Sequence, residues 1–236
     1  MGEIAARLMR VQEQMARAAL RAGRKQDEVR LCAVTKFVPA ERIAEAADAG
    51  VTLIGENRAQ EFSEKLIFYK QRNLEAHFIG QLQTNKVKYI CGNADLIQSV
   101  DRIALLEALE QRAQKLDIVQ PILVQVNIGN EPQKGGIDPN GLDAFLDRVA
   151  ACSHLTLRGF MCVPPIEEAE RVRPYFRRMR TLFEAARDTG AFDSIDTLSM
   201  GMSHDYPIAI EEGATLVRVG TAIFGPRQIL GGTNNG

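Results

Sequence analysis

Eight short apolar runs, separated by stretches of helical periodicity, limit the folds open to this chain more than any other feature. The runs are Val29–Lys36, Thr52–Asn57, Ala76–Gly80, Leu96–Val100, Ile122–Asn127, Leu157–Val163, Thr197–Met202 and Thr215–Gly220. Each has the length of a strand, and several are apolar throughout, as strands covered on both faces must be. Between them, Ala40–Ala49, Ala59–Lys70, Arg102–Leu116, Asn140–Ala151 and Arg171–Arg187 repeat apolar residues at helical spacing. Shorter helical pieces lie near Asn85–Ile90 and Pro207–Glu212. Strands alternating with helices build parallel sheets. Eight such strands in 236 residues predict a single-domain α/β chain, a (β/α)8 TIM barrel. The rival, a doubly wound open sheet, uses about five or six strands. Ahead of the first run, Ile4, Leu8, Val11 and Met15 predict an extra amphipathic N-terminal helix. The barrel is expected over residues 1–230, with the Gly- and Asn-rich residues 231–236 as a disordered tail.

Membrane and nucleic-acid functions find no support in composition. No apolar run approaches the ~20 residues of a membrane helix. The 29 basic and 30 acidic side chains leave a net charge of -1, which makes no field for a nucleic-acid backbone. Met1-Gly2 is followed by Ala6 where myristoylation needs Ser or Thr, and Glu3 argues against a secretory or transit segment. Cys32, Cys91, Cys152 and Cys162 are too scattered for a metal pair or a disulfide framework, so no metal is expected and the cytosol is the expected compartment.

In a barrel the chemistry gathers at the C-terminal ends of the strands. The first run closes on Lys36, an unusual residue for that rim. Desolvated there, its amine loses charge and can condense with a carbonyl as a Schiff base; the competing reading is a lysine reaching out to solvent. The second run ends at Asn57, either a polar group at the rim or a cap for the following helix. His77 stands near the start of the third run, where a packed structural histidine is expected. The last two runs end in Ser199-Met200-Gly201-Met202-Ser203 and Arg218-Val219-Gly220-Thr221, small and hydroxyl residues where barrels commonly build a phosphate cup. Arg218 shares a strand face with Leu216 and Gly220 and needs either a carboxylate partner or a ligand. An amine opposite a phosphate cup suits a ligand carrying an aldehyde and a phosphate. Pyridoxal 5'-phosphate (PLP) and a phosphorylated aldose both qualify.

Several stretches are long enough to carry a family resemblance. They are Ala33-Val34-Thr35-Lys36, Gly55-Glu56-Asn57-Arg58-Ala59-Gln60, His77 through Lys86, Ser199 through Ser203, and Arg218 through Gly225. In this order, over about residues 5–225, they resemble the pyridoxal phosphate homeostasis protein family, whose fold is the alanine racemase N-terminal barrel. The resemblance implies that Lys36 is the Schiff-base lysine and that Asn57 lies near the cofactor. It implies that Ser199, Gly201, Gly220 and Thr221 help hold the phosphate, with Ser203 beside it. Met200 is implied to lie close to the ring, and Arg218 to face the pyridine nitrogen. A permanently cationic donor there favours the unprotonated nitrogen and makes the ring a weak electron sink.

The expected function is therefore to hold PLP reversibly, maintain its intracellular level and deliver it to PLP-dependent apoenzymes, without robust catalysis. The alternative is an amino-acid racemase of the same fold, which needs a base on each face of the substrate carbon. In alanine racemases the second base is a tyrosine from a C-terminal β-domain for which this chain leaves no room, and a monomer is expected. Of the four tyrosines, Tyr206 alone falls near a rim. A Schiff-base aldolase would have Glu56 as its acid-base residue. The arginine-rich stretch Arg171–Arg180 is flanked by glutamates at helical spacing and reads as a solvated face. Lys134, in a Gly-flanked loop, is the second-choice amine.

Overall fold

The computed structural model describes residues 2–192 and 195–226; the expected tail and the last four residues of the expected barrel domain lie outside them. Eight parallel strands form a closed ring in sequence order: β1 (Arg30–Val34), β2 (Leu53–Glu56), β3 (Glu75–Phe78), β4 (Leu96–Val100), β5 (Gln120–Val126), β6 (Leu155–Cys162), β7 (Thr197–Ser199) and β8 (Leu216–Val219). Closure comes from β8 against β1, with Cys32 opposite Arg218 and Ala33 opposite Val219. All eight strands sit where the apolar runs predict them.

Alternation divides each strand between two environments. Outward residues such as Ala33, Ile54, Ile97, Val124 and Val217 join the main core beneath the helices. Inward residues form two smaller apolar clusters, Cys32–Leu53–Leu216 and Leu96–Leu123–Met161. The polar side chains of His77, Gln98, Ser199 and Arg218 are buried in the same interior.

Around the ring lie α2 (Ala40–Asp48), α3 (Ala59–Gln71), α4 (Val87–Ile90), α5 (Ile103–Leu116), α6 (Leu142–Ala150), α7 (Arg173–Asp188), α8 (Tyr206–Glu211) and α9 (Thr221–Phe224). The last two are too short to cover their strands. The N-terminal helix α1 (Glu3–Arg21) lies over them and α2, burying Ile4, Leu8, Val11, Met15, Ala18 and Ala19. Tyr206 donates its hydroxyl to Gln14, and Arg24 donates to the carbonyls of Ile210 (3.0 Å) and Ala214 (2.8 Å). The arginine-rich face of α7 is ion-paired, Arg173 with Glu170, Glu211 and Glu212, and Arg180 with Glu184.

The predicted and observed strands differ mainly at the functional rim. β1 stops at Val34 and β7 at Ser199, whereas the apolar runs continue to Lys36 and Met202. Beyond those points the chain turns. Val38 N–H bonds back to the Thr35 carbonyl (3.0 Å), Phe37 takes φ +59°, and Gly201 takes φ +93°.

Candidate functional site at the C-terminal mouth of the barrel

Lys36 thus stands in a turn just above β1 rather than within the strand. Three anchors fix that turn from below. The Thr35 hydroxyl donates to Glu56 Oε1 (2.8 Å), Lys65 Nζ donates to the Thr35 carbonyl (3.0 Å), and Phe37 N–H donates to Glu61 Oε2 (2.8 Å). Lys65 also pairs with Glu56 (2.8 Å) and Glu61 (3.3 Å), while the Tyr69 hydroxyl donates to Glu56 (2.8 Å). Glu56 is fully buried between the ring and α3. Through Oε1 its carboxylate positions this turn, while Oε2 is buried without a hydrogen-bond partner among the described residues. Burial, then the Glu56 charge, push the Tyr69 phenol upward.

Parallel pairing places Asn57 beside this turn. Val34 is opposite Gly55 and Thr35 N–H donates to the Gly55 carbonyl (3.0 Å), which brings the end of β2, with Asn57 just past it, alongside the start of the turn that carries Lys36. Asn57 does not cap α3, whose N-cap is Arg58. Its Oδ1 is buried without a hydrogen-bond partner among the described residues. A buried acceptor left unpaired is costly and calls for a ligand group or water. On its far side, the Asn57 backbone is crowded by Gly80, where a Cβ would lie 2.0 Å from the Asn57 carbonyl oxygen. Only glycine permits that approach.

Across the β1–β8 seam, Lys36, Val38, Arg42, Gly220, Thr221 and Phe224 share a cleft of ≈ 100 Å³. It is smaller than the roughly 300–1,000 Å³ of a pocket enclosing a whole ligand. A ligand reaching into it would extend across the open mouth. Beside it, the Ser203 hydroxyl oxygen accepts from Gly220 N–H (3.3 Å) and Ala222 N–H (3.4 Å). Two amides converging on one oxygen at such long distances remain available to a stronger acceptor, such as a phosphate oxygen. Asp205 secures the preceding loop by accepting from Met202 N–H (2.6 Å), and burial pushes its carboxyl upward. Gly201 accepts from Arg218 N–H (2.9 Å), and its own Cβ would collide with Ala209 (2.6 Å).

Arg218 is 4% exposed. No carboxylate among the described residues pairs with it, so the ion-pair alternative fails. Its Nη1 donates to Ser199 Oγ (2.6 Å) and its Nη2 to the Cys162 carbonyl (2.8 Å). Burial lowers its affinity for the proton and pushes the nearby Cys32 and Cys162 thiols up to about 12, so neither is a thiolate near neutrality. The Ser199 hydroxyl sits inside the ring, donating to Gln98 Oε1 (2.7 Å), and the next residue, Met200, is fully buried in the main core beneath the helices. Lys134 is held at the neighbouring rim by the Pro164 carbonyl (2.8 Å) and Glu131 (2.5 Å).

The structure therefore gathers Lys36, Gly220 and Thr221 in one cleft, links Ser203 to Gly220, and links Ser199 to Arg218. Sequence reasoning missed Lys65, Glu61 and Gln98. For Gln98 a signal existed, a glutamine at the centre of a five-residue apolar run that is buried throughout.

Comparison with known proteins follows the same line. A family model described as alanine racemase, N-terminal domain, matches residues 7–228. The pyridoxal phosphate homeostasis protein of Aquifex aeolicus is 46% identical over 224 residues, 94% of this chain and 97% of that protein. Its Escherichia coli K12 namesake is 40% identical over 234 residues, 97% and 98% of the two chains. The solved structure of PipY from Synechococcus elongatus PCC7942 with PLP bound superimposes with a TM-score of 0.80 at 36% identity, covering 94% of this chain and 100% of that one.

Proposed function

The chain belongs to the pyridoxal phosphate homeostasis protein family, with its alanine racemase N-terminal barrel, and from that premise we propose that it holds PLP on Lys36 and releases it to PLP-dependent apoenzymes. PLP supplies, when bound, an aldehyde that condenses reversibly with an amine and a ring that can withdraw electrons. The observation that carries the reading is the shared cleft, lined by Lys36 together with Gly220 and Thr221.

The residues divide the work by chemistry. Lys36 supplies the amine that forms the Schiff base, on a turn held from three sides. Asn57 offers a buried acceptor without a partner among the described residues. Gly220, Thr221 and Ser203, with Gly201 allowing the close backbone approach, receive the phosphate. Met200 backs the ring side of the pocket from the main core, in which it is wholly buried. Arg218 presents a permanent cation that can only donate, and Ser199 steadies it. A donor at the ring nitrogen favours the unprotonated ring, which suits holding the vitamin more than stabilising a carbanion.

Holding rather than catalysing also fits the tyrosines. A second base on the opposite face of a substrate carbon must be free to move a proton. The Tyr206 hydroxyl is engaged with Gln14 and that of Tyr69 with Glu56. The protein is proposed to act as a monomer in the cytoplasm, and sedimentation equilibrium checks the first half of that statement.

Visible absorbance after PLP addition tests the proposal. The wild type should gain a Schiff-base band that Lys36→Ala abolishes, with circular dichroism showing that the variant is folded. A band that persists would move the attachment to another amine, Lys134 first. Incubation of the PLP-loaded protein with single-enantiomer amino acids should give no multiple-turnover racemisation; sustained racemisation would establish the enzyme reading instead.

A further inference from the structure

A continuous hydrogen-bonded chain of side chains runs through the barrel from one mouth to the other. From Arg218 Nη1 it passes to Ser199 Oγ (2.6 Å), Gln98 Oε1 (2.7 Å), then from Gln98 Nε2 to His77 Nδ1 (2.8 Å), and from His77 Nε2 to Glu75 Oε1 (2.7 Å). Arg30 Nη2 closes it at the opposite mouth by donating to Glu75 Oε2 (2.5 Å). Ser199, Gln98, His77 and Arg218 are all buried. Every link is a direct contact between side-chain atoms, so no water is needed to complete the path.

The two ends fix its direction. A guanidinium can only donate, so Ser199 Oγ must accept from Arg218 and pass its own proton to Gln98 Oε1. At the other end, hydrogen bonding from His77 and then from Arg30 holds the Glu75 carboxyl down at about 2, so it is a carboxylate that can only accept. His77 therefore donates from Nε2, leaving Nδ1 bare to receive the Gln98 amide. Reversing Gln98 would turn its oxygen toward His77 and force a second proton onto the ring. It would also leave the Ser199 proton without an acceptor in the chain.

We infer that Gln98 and His77 are positioning residues for the cofactor site: acting through Ser199, they hold the Arg218 guanidinium in one orientation. Neither residue touches the mouth itself. The inference rests on the proposed PLP reading for its ligand, whereas the direction of the chain stands on the protein alone. A merely packed histidine would be indifferent to which nitrogen carries the proton, and a packing glutamine would be replaced by leucine without consequence for a ligand beyond Ser199.

Two measurements decide it. The first is 15N NMR of the PLP-free protein carrying His154→Gln and His204→Gln, which leaves His77 as the sole histidine. One protonated nitrogen, Nε2, is expected at neutral pH; a protonated Nδ1 overturns the inference. The second is PLP titration of Gln98→Leu and Gln98→Glu, followed by absorbance. Leucine removes the acceptor for Ser199 and should weaken PLP uptake about tenfold and shift the band. Glutamate still accepts from Ser199, so uptake should stay within about threefold of the wild type, while His77 becomes doubly protonated in the NMR spectrum. Equal affinities for wild type and a folded Gln98→Leu overturn the positioning role; should leucine fail to fold, a tenfold loss in Gln98→Glu does so instead. A wild type that takes up no PLP defeats the proposed function, and the nitrogen shifts then still decide the chain's direction.

Discussion

Glu75 shows how one side chain can matter at a mouth that does no chemistry. His77 and Arg30 both donate to it, and together they hold its carboxyl at about 2 against an ordinary 4.5. A depressed carboxylate contributes stability above its unfolded value and loses it as pH falls toward the folded one. The stability advantage of the wild type over Glu75→Gln, measured by urea denaturation, should therefore be constant above about pH 5 and shrink as pH falls from about 4.5 toward 2. The side chain is partly exposed, so solvent screening keeps the effect modest. An advantage that grows on acidification would contradict this assignment. Single residues were also the least legible level of the sequence. Lys36, Gly220 and Arg218 stood out because a cation or a glycine interrupts an apolar strand end. Glu56 stood out too, but its partner Lys65 lies in the helix that follows, and no spacing rule pairs a strand end with a particular residue of the next helix.

Among the elements, the turn above β1 is the most heavily supported. Lys65 bridges the Thr35 carbonyl, Glu56 and Glu61, and Glu56 is wholly buried. Lys65→Met removes the cation and strands that buried carboxylate, a loss of about 3–5 kcal/mol. The double variant Lys65→Met/Glu56→Gln should recover part of it, because the uncompensated charge is gone. Urea denaturation of both variants and of Glu56→Gln alone gives the coupling; purely additive effects would show that the two residues do not act as a pair. At this scale the sequence was informative, since apolar periodicity fixed all eight strands and the longer helices. It overran β1 and β7 because apolar character persists after ladder bonding has stopped. There the backbone must leave the ring, and Phe37 and Gly201 adopt positive φ to let it do so.

For the whole molecule, the alternation of strand and helix left a closed ring as the economical arrangement, and β8 does pair with β1. Among the described residues no helix is long and apolar enough to cross a membrane. A ligand that binds only the folded ring raises its stability by mass action. PLP at 100 times its dissociation constant should add about 2.7 kcal/mol. For a chain of this size that corresponds to a Tm rise on the order of 5–10 °C. Scanning calorimetry of the wild type with increasing PLP checks it, and a Tm independent of PLP would refute binding to the native state.

The seam between the first and last strands has one more consequence. A cylinder closed by β8 against β1 has no free strand margin to open. The groups offered to a guest stand past the strand ends, so giving it up asks nothing of the ring itself.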